Sequence, residues 1–578
     1  MLKLLVHLRK YWKLVLLSPT CMMIEVGMDL LQPLLLAAIV DKGVANGDIP
    51  FIMRTGLLMV GIAIIGMAGG MGGIMASSFA AQGFGADLRW QLFKKVQSFS
   101  FANLDELRTA SLITRLTNDV TQVQQTVMML LRAFVRAPLL SIGGLVMAIS
   151  INARLALILL VTMPLLALSL WVVINKAFPL FMEVQRRVDR VNAVMRENLV
   201  GVRVIKAFVR AAKEKERFGS ANESLRDITT RASRVVALQM PLMMLLMNLS
   251  IVAIIWFGGI QVNTGQMTVG EVIAFINYIT QILFALMLVA WVLMAFSRAK
   301  ASADRINEVL DTEALIREKP DPVVSKINKG EIVFDRVSFQ YPGAGGAPVL
   351  QDISFTVSPG ETVAILGGTG AGKTSLVNLI PRFFDVTQGR VLVDGVDVRD
   401  YSLKTLREGI GMVPQETILF SGSIEDNIRW GKEDATGEEI EAAAKAAQIH
   451  DFIVNLPDGY QTRLGQRGIN LSGGQKQRLA IARALVAKPA VLIFDDSTSA
   501  VDTGTEACLQ QSVKDYLGRC TRIIIAQKIS SVMRADKIIL LENGKIEGIG
   551  THEMLLAKSP VYQDIYHSQW GQEAVVSG

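Results

Sequence analysis

Residues 363–380 read Val-Ala-Ile-Leu-Gly-Gly-Thr-Gly-Ala-Gly-Lys-Thr-Ser-Leu-Val-Asn-Leu-Ile. The first four are a short apolar run of the buried-strand kind, and the stretch from Ser375 to Ile380 has helical spacing. Between them, Gly367, Gly368, Thr369, Gly370, Ala371, Gly372, Lys373 and Thr374 complete the pattern G-x-x-x-x-G-K-[ST] in the strand–loop–helix setting that gives it meaning. The glycines let backbone N–H groups wrap phosphate oxygens, and the helix N-terminus behind them adds a positive field. Lys373 reaches the β- and γ-phosphates, and the Thr374 hydroxyl ligates magnesium. The expectation is an α/β P-loop NTPase domain that binds ATP with Mg2+.

Downstream, Val491-Leu492-Ile493-Phe494 is a second apolar strand that closes on Asp495, a carboxylate placed to hold magnesium or its water. Between the two strands stands Leu471-Ser472-Gly473-Gly474-Gln475-Lys476-Gln477-Arg478. Its serine and glycines open a helical segment over 476–486, so their N–H groups can face an anion. A plain glycine turn accounts poorly for this order of motifs.

Upstream of about residue 300 the composition changes. The chain has 578 residues, of which 51% are hydrophobic, and a mean hydropathy of +0.38. The apolar residues concentrate in long runs before residue 300, which reads as a membrane half followed by a soluble half. Six spans near the roughly 20 residues a bilayer requires fall at 14–40, 54–82, 127–150, 155–179, 235–260 and 268–297. The expected division is an interfacial elbow helix over 1–13, a six-span domain over 14–300, a connector over 301–330 containing Pro320 and Pro322, and the nucleotide domain over 331–578. The first ten residues lack a cleavage pattern for a signal peptide, and an amphipathic helix on the inner membrane surface fits them better.

The net charge of +7 does not point to nucleic acid, because no basic stripe is interleaved with aromatics. The basic residues crowd instead into the long loops between spans, as in Arg186, Arg187, Arg190, Arg203, Lys206 and Arg210. Positive loops favour the cytoplasm, so the long loops, both termini and the soluble half lie inside. The long loops keep apolar residues at helical spacing, which predicts helices reaching well into the cytoplasm. Turning points are expected near 112–119 and near 201–208. Cys21, Cys508 and Cys520 form no metal or redox spacing, which fits a reducing compartment.

Inside the spans, Glu25 and Asp29 lie one helical turn apart, as do Arg132 and Arg136. Ionisable groups in lipid are costly. A substrate or proton role and plain packing or ion pairing both fit them. Phe284, Met287, Trp291, Met294 and Phe296 form a methionine and aromatic stripe that suits either core packing or adaptable contact with apolar ligands.

Taken together, the phosphate loop, Leu471–Gln475 and the six-span pattern resemble ABC transporters of the exporter type over nearly the whole chain. The resemblance implies further roles. Tyr341 fits the adenine-stacking aromatic, Gln415 the glutamine of the Q-loop that meets nucleotide and metal, and Ser497–Asp502 the D-loop. Ser472, Gly473, Gly474 and Gln475 match the signature motif. In the family two halves pair, and each ATP is sandwiched between one half's phosphate loop and the other half's signature. Importers, with membrane and cassette parts on separate chains, fit less well. A peptide-processing exporter would carry an N-terminal protease domain, and none is visible.

The chain departs from the family pattern at the reacting end of its site. Asp496 stands where relatives have a catalytic glutamate, and Gln527 follows Ile523–Ala526 where they have a switch histidine. Gln466 replaces a residue that is usually acidic. None of His7, His450, His552 and His567 follows that strand. Together these departures resemble the impaired-site subunit of bacterial heterodimeric multidrug exporters. The expected function is ATP-driven export of small amphipathic, drug-like molecules across the bacterial inner membrane, as half of a heterodimer. The alternative is a homodimeric lipid flippase or exporter with slow ATPase activity. Partners on either reading are a second ABC half, membrane lipid and a small-molecule substrate.

Overall fold

The computed structural model describes residues 2–497 and 503–576. The chain groups into two compact units, Met1–Gln97 with Ala110–Thr312, and Ser98–Thr109 with Glu313–Gly578.

The first unit is all helical. Among the described residues, six helices are long and apolar enough to cross a bilayer. After short turns over Leu2–Leu5 and Val6–Tyr11, the first runs over Trp12–Ala38. The others are Ile49–Gln97, a helix from Thr109 to Ile151 with one π-type turn, Ala153–Val200, Ala211–Asn263 and Val269–Asp311. The second has 49 residues, or about 74 Å at 1.5 Å per residue, against a hydrocarbon core of about 30 Å. The helices therefore do extend far beyond the bilayer. The last one continues through the start of the segment read as a connector, to Asp311.

Small residues let the first two helices meet closely. Gly66, Gly69, Gly70 and Gly73 are buried in the second helix. A Cβ at Gly69 would lie 3.0 Å from the Cys21 carbonyl and 3.2 Å from the Glu25 amide nitrogen, so backbone rests on backbone. Beyond the membrane, the third and sixth helices are tied by ions: Arg305 clasps Asp119, and Arg115 lies 2.9 Å from Glu308. The acid pairs and arginines of the spans also meet. Arg136 bridges Glu25 at 3.2 Å and Asp29 at 3.1 Å.

The first cytoplasmic turn is not at 112–119, which is helical throughout. Leu112, Arg115, Asp119, Val120 and Val123 are buried there at i, i+3, i+4 spacing, so the segment continues a packed stripe. The turn falls earlier, at a short helix over Phe101–Leu107. Ser100 and Asn103 form its capping box, and Arg108 breaks it with a φ of 55°. The second turn is the short helix Val202–Ala207, where the sequence pattern puts it.

The second unit holds twelve strands among the described residues. They are β1 (Ile332–Phe339), β2 (Leu350–Val357), β3 (Thr362–Leu366), β4 (Gln388–Val393), β5 (Val396–Asp397), β6 (Ile410–Val413), β7 (Gly422–Ser423), β8 (Arg463–Leu464), β9 (Val491–Asp495), β10 (Thr521–Ile525), β11 (Lys537–Glu542) and β12 (Lys545–Gly550). The main sheet has the order β12-β11-β3-β10-β9-β6, parallel except for β12. An antiparallel sheet, β2-β1-β4-β5, packs its buried face into the same core, with Phe334 stacked on Phe355. The parallel strands β3, β9 and β10 carry the unbroken apolar runs Val363–Leu366, Val491–Phe494 and Ile523–Ile525, buried because both faces are covered.

Candidate functional site

Strand order assembles the site. In a parallel sheet all carboxyl ends lie along one edge, where ligands bind. The neighbours β3, β10, β9 and β6 are followed there by the glycine loop, Gln527, Asp496 and Gln415 respectively. These groups line one cavity of about 250 Å³, with Thr369, Gly370, Gly372, Lys373, Thr374, Ser375 and Asp495.

The loop itself demands glycine. Gly370 and Gly372 have φ of 85° and 98°, and a Cβ at Gly367 would lie 2.1 Å from the Leu541 carbonyl. Lys373 begins the following helix, and its Nζ donates to the Gly367 and Gly368 carbonyls, each at 2.8 Å. These two carbonyls stand where phosphate oxygens compete for the same ammonium. Burial lowers the Lys373 pKa, while Asp496 and Asp495 oppose that shift. The loop thus presents a desolvated cation that a polyphosphate would compensate.

Thr374 Oγ1 donates to Asp495 Oδ1 at 3.0 Å. A hydroxyl and a carboxylate at one point are the hard oxygen donors that magnesium prefers, so these two fit the ion. When bound there, magnesium neutralises charge on phosphate oxygens. Asp495 is almost fully buried at the end of β9. Burial raises its pKa and the neighbouring Asp496 charge adds to the rise, offset by the Thr374 hydrogen bond and Lys373.

Asp496 sits differently. Its φ of 47° is in the left-handed region, and its amide donates to the Ile525 carbonyl of β10 at 3.1 Å. The carboxylate Oδ2 accepts from Gln527 Nε2 at 3.0 Å and from Gln415 Nε2 at 3.4 Å. Burial raises its pKa first, with Lys373 and the Gln527 hydrogen bond pulling the other way. Lys528 and Glu506 also act on Asp496 electrostatically, and Val349 and Ile525 line the cavity. Sequence reasoning missed these four. Lys528 was detectable, as a cation beside a residue already singled out; the others depend on strand packing.

Tyr341 does not line this cavity but neighbours it, sharing a 2.8 Å hydrogen bond between its hydroxyl and Ser375 Oγ. Phe339 and Phe384 hold its ring edge-on at 4.9 and 5.1 Å. Ser472, Gly473, Gly474 and Gln475 also lie away from the cavity. Ser472 caps the helix Gly473–Leu485, and its own N–H donates to Gln475 Oε1 at 2.8 Å. Gln466 lies in a tight turn just before it. Of the expected D-loop, Ser497 is buried and 498–502 lie outside the described residues. So do the side chains of Trp291 and Met294 in the membrane stripe.

Comparison with known proteins agrees with this geometry. The ABC transporter transmembrane region family matches residues 15–286, and the ABC transporter family matches residues 350–499. The chain is 46% identical to the ABC transporter ATP-binding protein YfiB of Bacillus subtilis (strain 168), over 99% of both chains. It is 33% identical to the ATP-dependent lipid A-core flippase of Chromobacterium violaceum, over 99% of this chain and 97% of that one. Among solved structures, a bacterial Atm1-family ABC exporter with ATP bound superposes with a TM-score of 0.79 at 26% identity, covering 97% of this chain and 98% of the other. The six helices, with the nucleotide cavity on the cytoplasmic domain, make this a multi-pass membrane protein. The chain belongs to the ABC transporter family, as an exporter half-transporter in which a six-helix transmembrane domain is fused ahead of an ATP-hydrolysing nucleotide-binding domain.

Proposed function

We propose that this chain is the slow-site half of a heterodimeric exporter, moving small amphipathic molecules out across the bacterial inner membrane. Its own phosphate loop holds ATP and magnesium through Lys373, Thr374 and Asp495. Its signature, Ser472–Gln475, completes the fast site on a different partner chain.

The observation that carries this reading is the state of Asp496. An aspartate is one methylene shorter than the glutamate relatives use to activate water. A misplacement on the order of 1 Å costs roughly 100-fold in rate. The Asp496 carboxylate is also engaged by the Gln527 amide, so an attacking water must compete for it. Gln527 can bond a γ-phosphate but has no ring to relay a proton.

ABC exporters act as dimers, and the second cytoplasmic turn supports an absent partner here. Phe208 and Val209, just past the short helix Val202–Ala207, are 73% and 85% exposed. A small apolar cleft lined by Met240, Met243, Met244, Met247, Phe284 and Met287 supports adaptable contact with apolar cargo. A second reading, a homodimeric lipid flippase with slow turnover, is favoured by the name of the Chromobacterium relative.

The test is to purify the chain alone and with the half-transporter encoded beside it. The pair hydrolyses ATP, and the chain alone does so at a few per cent of that rate or less. Fast ATPase from the chain alone, abolished by Lys373→Ala, overturns the proposal.

A further inference from the structure

We propose that the first and third membrane helices of this chain hold a binding site for a zwitterionic amphiphile, one whose head carries an acidic group beside an ammonium. The proposal deepens the export reading by naming a class of cargo, and it rests on that reading for the direction of movement.

Four charged side chains converge there from two helices. Arg136 spans Glu25 and Asp29, its two terminal nitrogens going one to each acid. Its Nε is buried without a hydrogen-bond partner. One turn away on the same helix, Arg132 makes no ion pair among the described residues, yet it lines the same cavity as Glu25 and Arg136. That cavity has a volume of about 490 Å³, and Met22, Met128 and Met129 belong to its wall.

Charges in a bilayer are costly unless matched. Two acids and two arginines sum to zero, but they are not paired one to one. Both acids share Arg136, which leaves that triad one charge negative and Arg132 one charge positive. Glu25, Arg132 and Arg136 line the cavity and Asp29 does not, so it is the four-residue cluster that is neutral, with two poles. A monoanion or a monocation would satisfy one pole and leave the whole charged. A head with a phosphate or carboxylate against Arg132 and an ammonium against Glu25 satisfies both. Arginine suits the acidic group because its planar fork matches two oxygens. Gly70 of the second helix makes room for the Glu25 carboxylate itself, since a Cβ there would lie 3.0 Å from its Cδ. The methionine wall accepts a chain of variable shape. An arginine reaching for the interface would leave the level of Glu25, whereas Arg132 lines the cavity beside it.

The test measures binding of fluorescent amphiphiles to the full chain in dodecyl maltoside, without ATP. The probes are NBD-labelled lysophosphatidylethanolamine, NBD-labelled lysophosphatidic acid and NBD-dodecylamine. The first binds tightest and the amine weakest. Arg132→Gln weakens both phosphate probes about tenfold, or 1.4 kcal/mol. Arg132→Lys keeps the charge but loses the planar fork, so it recovers only part of that loss. Glu25→Gln, with Asp29 still holding Arg136, removes the preference for the ethanolamine probe over the phosphatidic one. If Arg132→Gln does not fold, Met129→Trp, which fills the cavity and leaves every charge, must give the same loss. A carboxylate counterpart, NBD-labelled laurate, separates phosphate from carboxylate recognition at Arg132. Equal affinity for the ethanolamine and amine probes, or affinity unchanged by both Arg132→Gln and Met129→Trp, overturns the site. Binding without ATP is independent of hydrolysis, so a failed export reading leaves this result standing, and the reverse also holds.

Discussion

On one flank of the nucleotide cavity, Lys373 spans its own loop, and Thr374 donates to a buried Asp495. Each side chain there is of the type and length that phosphate and magnesium require. On the other flank, the acid at 496 is a methylene short and accepts from two glutamine amides. The flanks are neighbours, since β9 ends on Asp495 and Asp496 is the residue that follows it. A structural decline of the whole site would erode both. The slow-site proposal rests on this difference, one flank suited to holding ATP beside one that departs from the family pattern for breaking it.

The largest effect that bears on this contrast is at Lys373. Lys373→Ala weakens ATP binding to the isolated chain by two orders of magnitude or more, on the scale of about 3 kcal/mol for a buried charge contact to phosphate. Equilibrium binding of a fluorescent ATP analogue reads it. An unchanged affinity would break the contrast by showing that the first flank does not hold nucleotide either.

A smaller effect tests the second flank. The double variant Asp496→Glu with Gln527→His raises hydrolysis by the chain alone about 10- to 100-fold, as expected for a repositioned base and a restored relay. Steady-state phosphate release measures it, with ATP affinity as the control that must not move. The single Asp496→Glu gains less, because φ of 47° is tolerated better by Asp than by Glu.

The smallest effect is on stability. The Asp496 pKa is raised by burial, so the folded domain binds a proton over a window above the ordinary carboxylate range, near 3.9. Above that window the carboxylate is charged in both states, and the folded state carries the cost of burying it. Asp496→Asn removes that cost, so without nucleotide the variant melts a few degrees higher at pH 7. The difference shrinks as pH falls through the raised value and vanishes below the ordinary one. Thermal melts of the nucleotide-free chain across pH 3.5–7.5 give the curve, and a gap that widens towards acid contradicts the assignment.

How much of this was legible in the sequence follows the range of each interaction. The phosphate loop, Asp495 and the Ser472 cap are set by residues within about a dozen positions, and they read directly. The contact of Gln527 with Asp496 needs β9 beside β10, which no local pattern states. The same holds in the membrane: two charged pairs at one-turn spacing were visible, but not that Arg136 joins both acids. The first cytoplasmic turn was misread for a related reason. Its cap is Ser100 with Asn103, a weaker signal than serine with glutamate, while the residues at 112–119 carry charges that look like a loop and pack as a helix.

That first turn has a consequence for how the chain is made. Phe101 lies 4.7 Å from Phe383 and 6.4 Å from Phe384, and Asn103 bonds the backbone at Glu313 and Leu315. The segment Ser98–Thr109 is therefore a piece of the nucleotide-binding unit encoded about 210 residues before the rest. At 5–20 residues per second, a ribosome takes roughly 10–40 s to supply what it packs against. Phe383 and Phe384, the aromatic neighbours of Phe101, come later still. Cutting the gene at the apparent domain border would remove a segment that packs against the cassette, Ala102 against its core and Phe101 against Phe383.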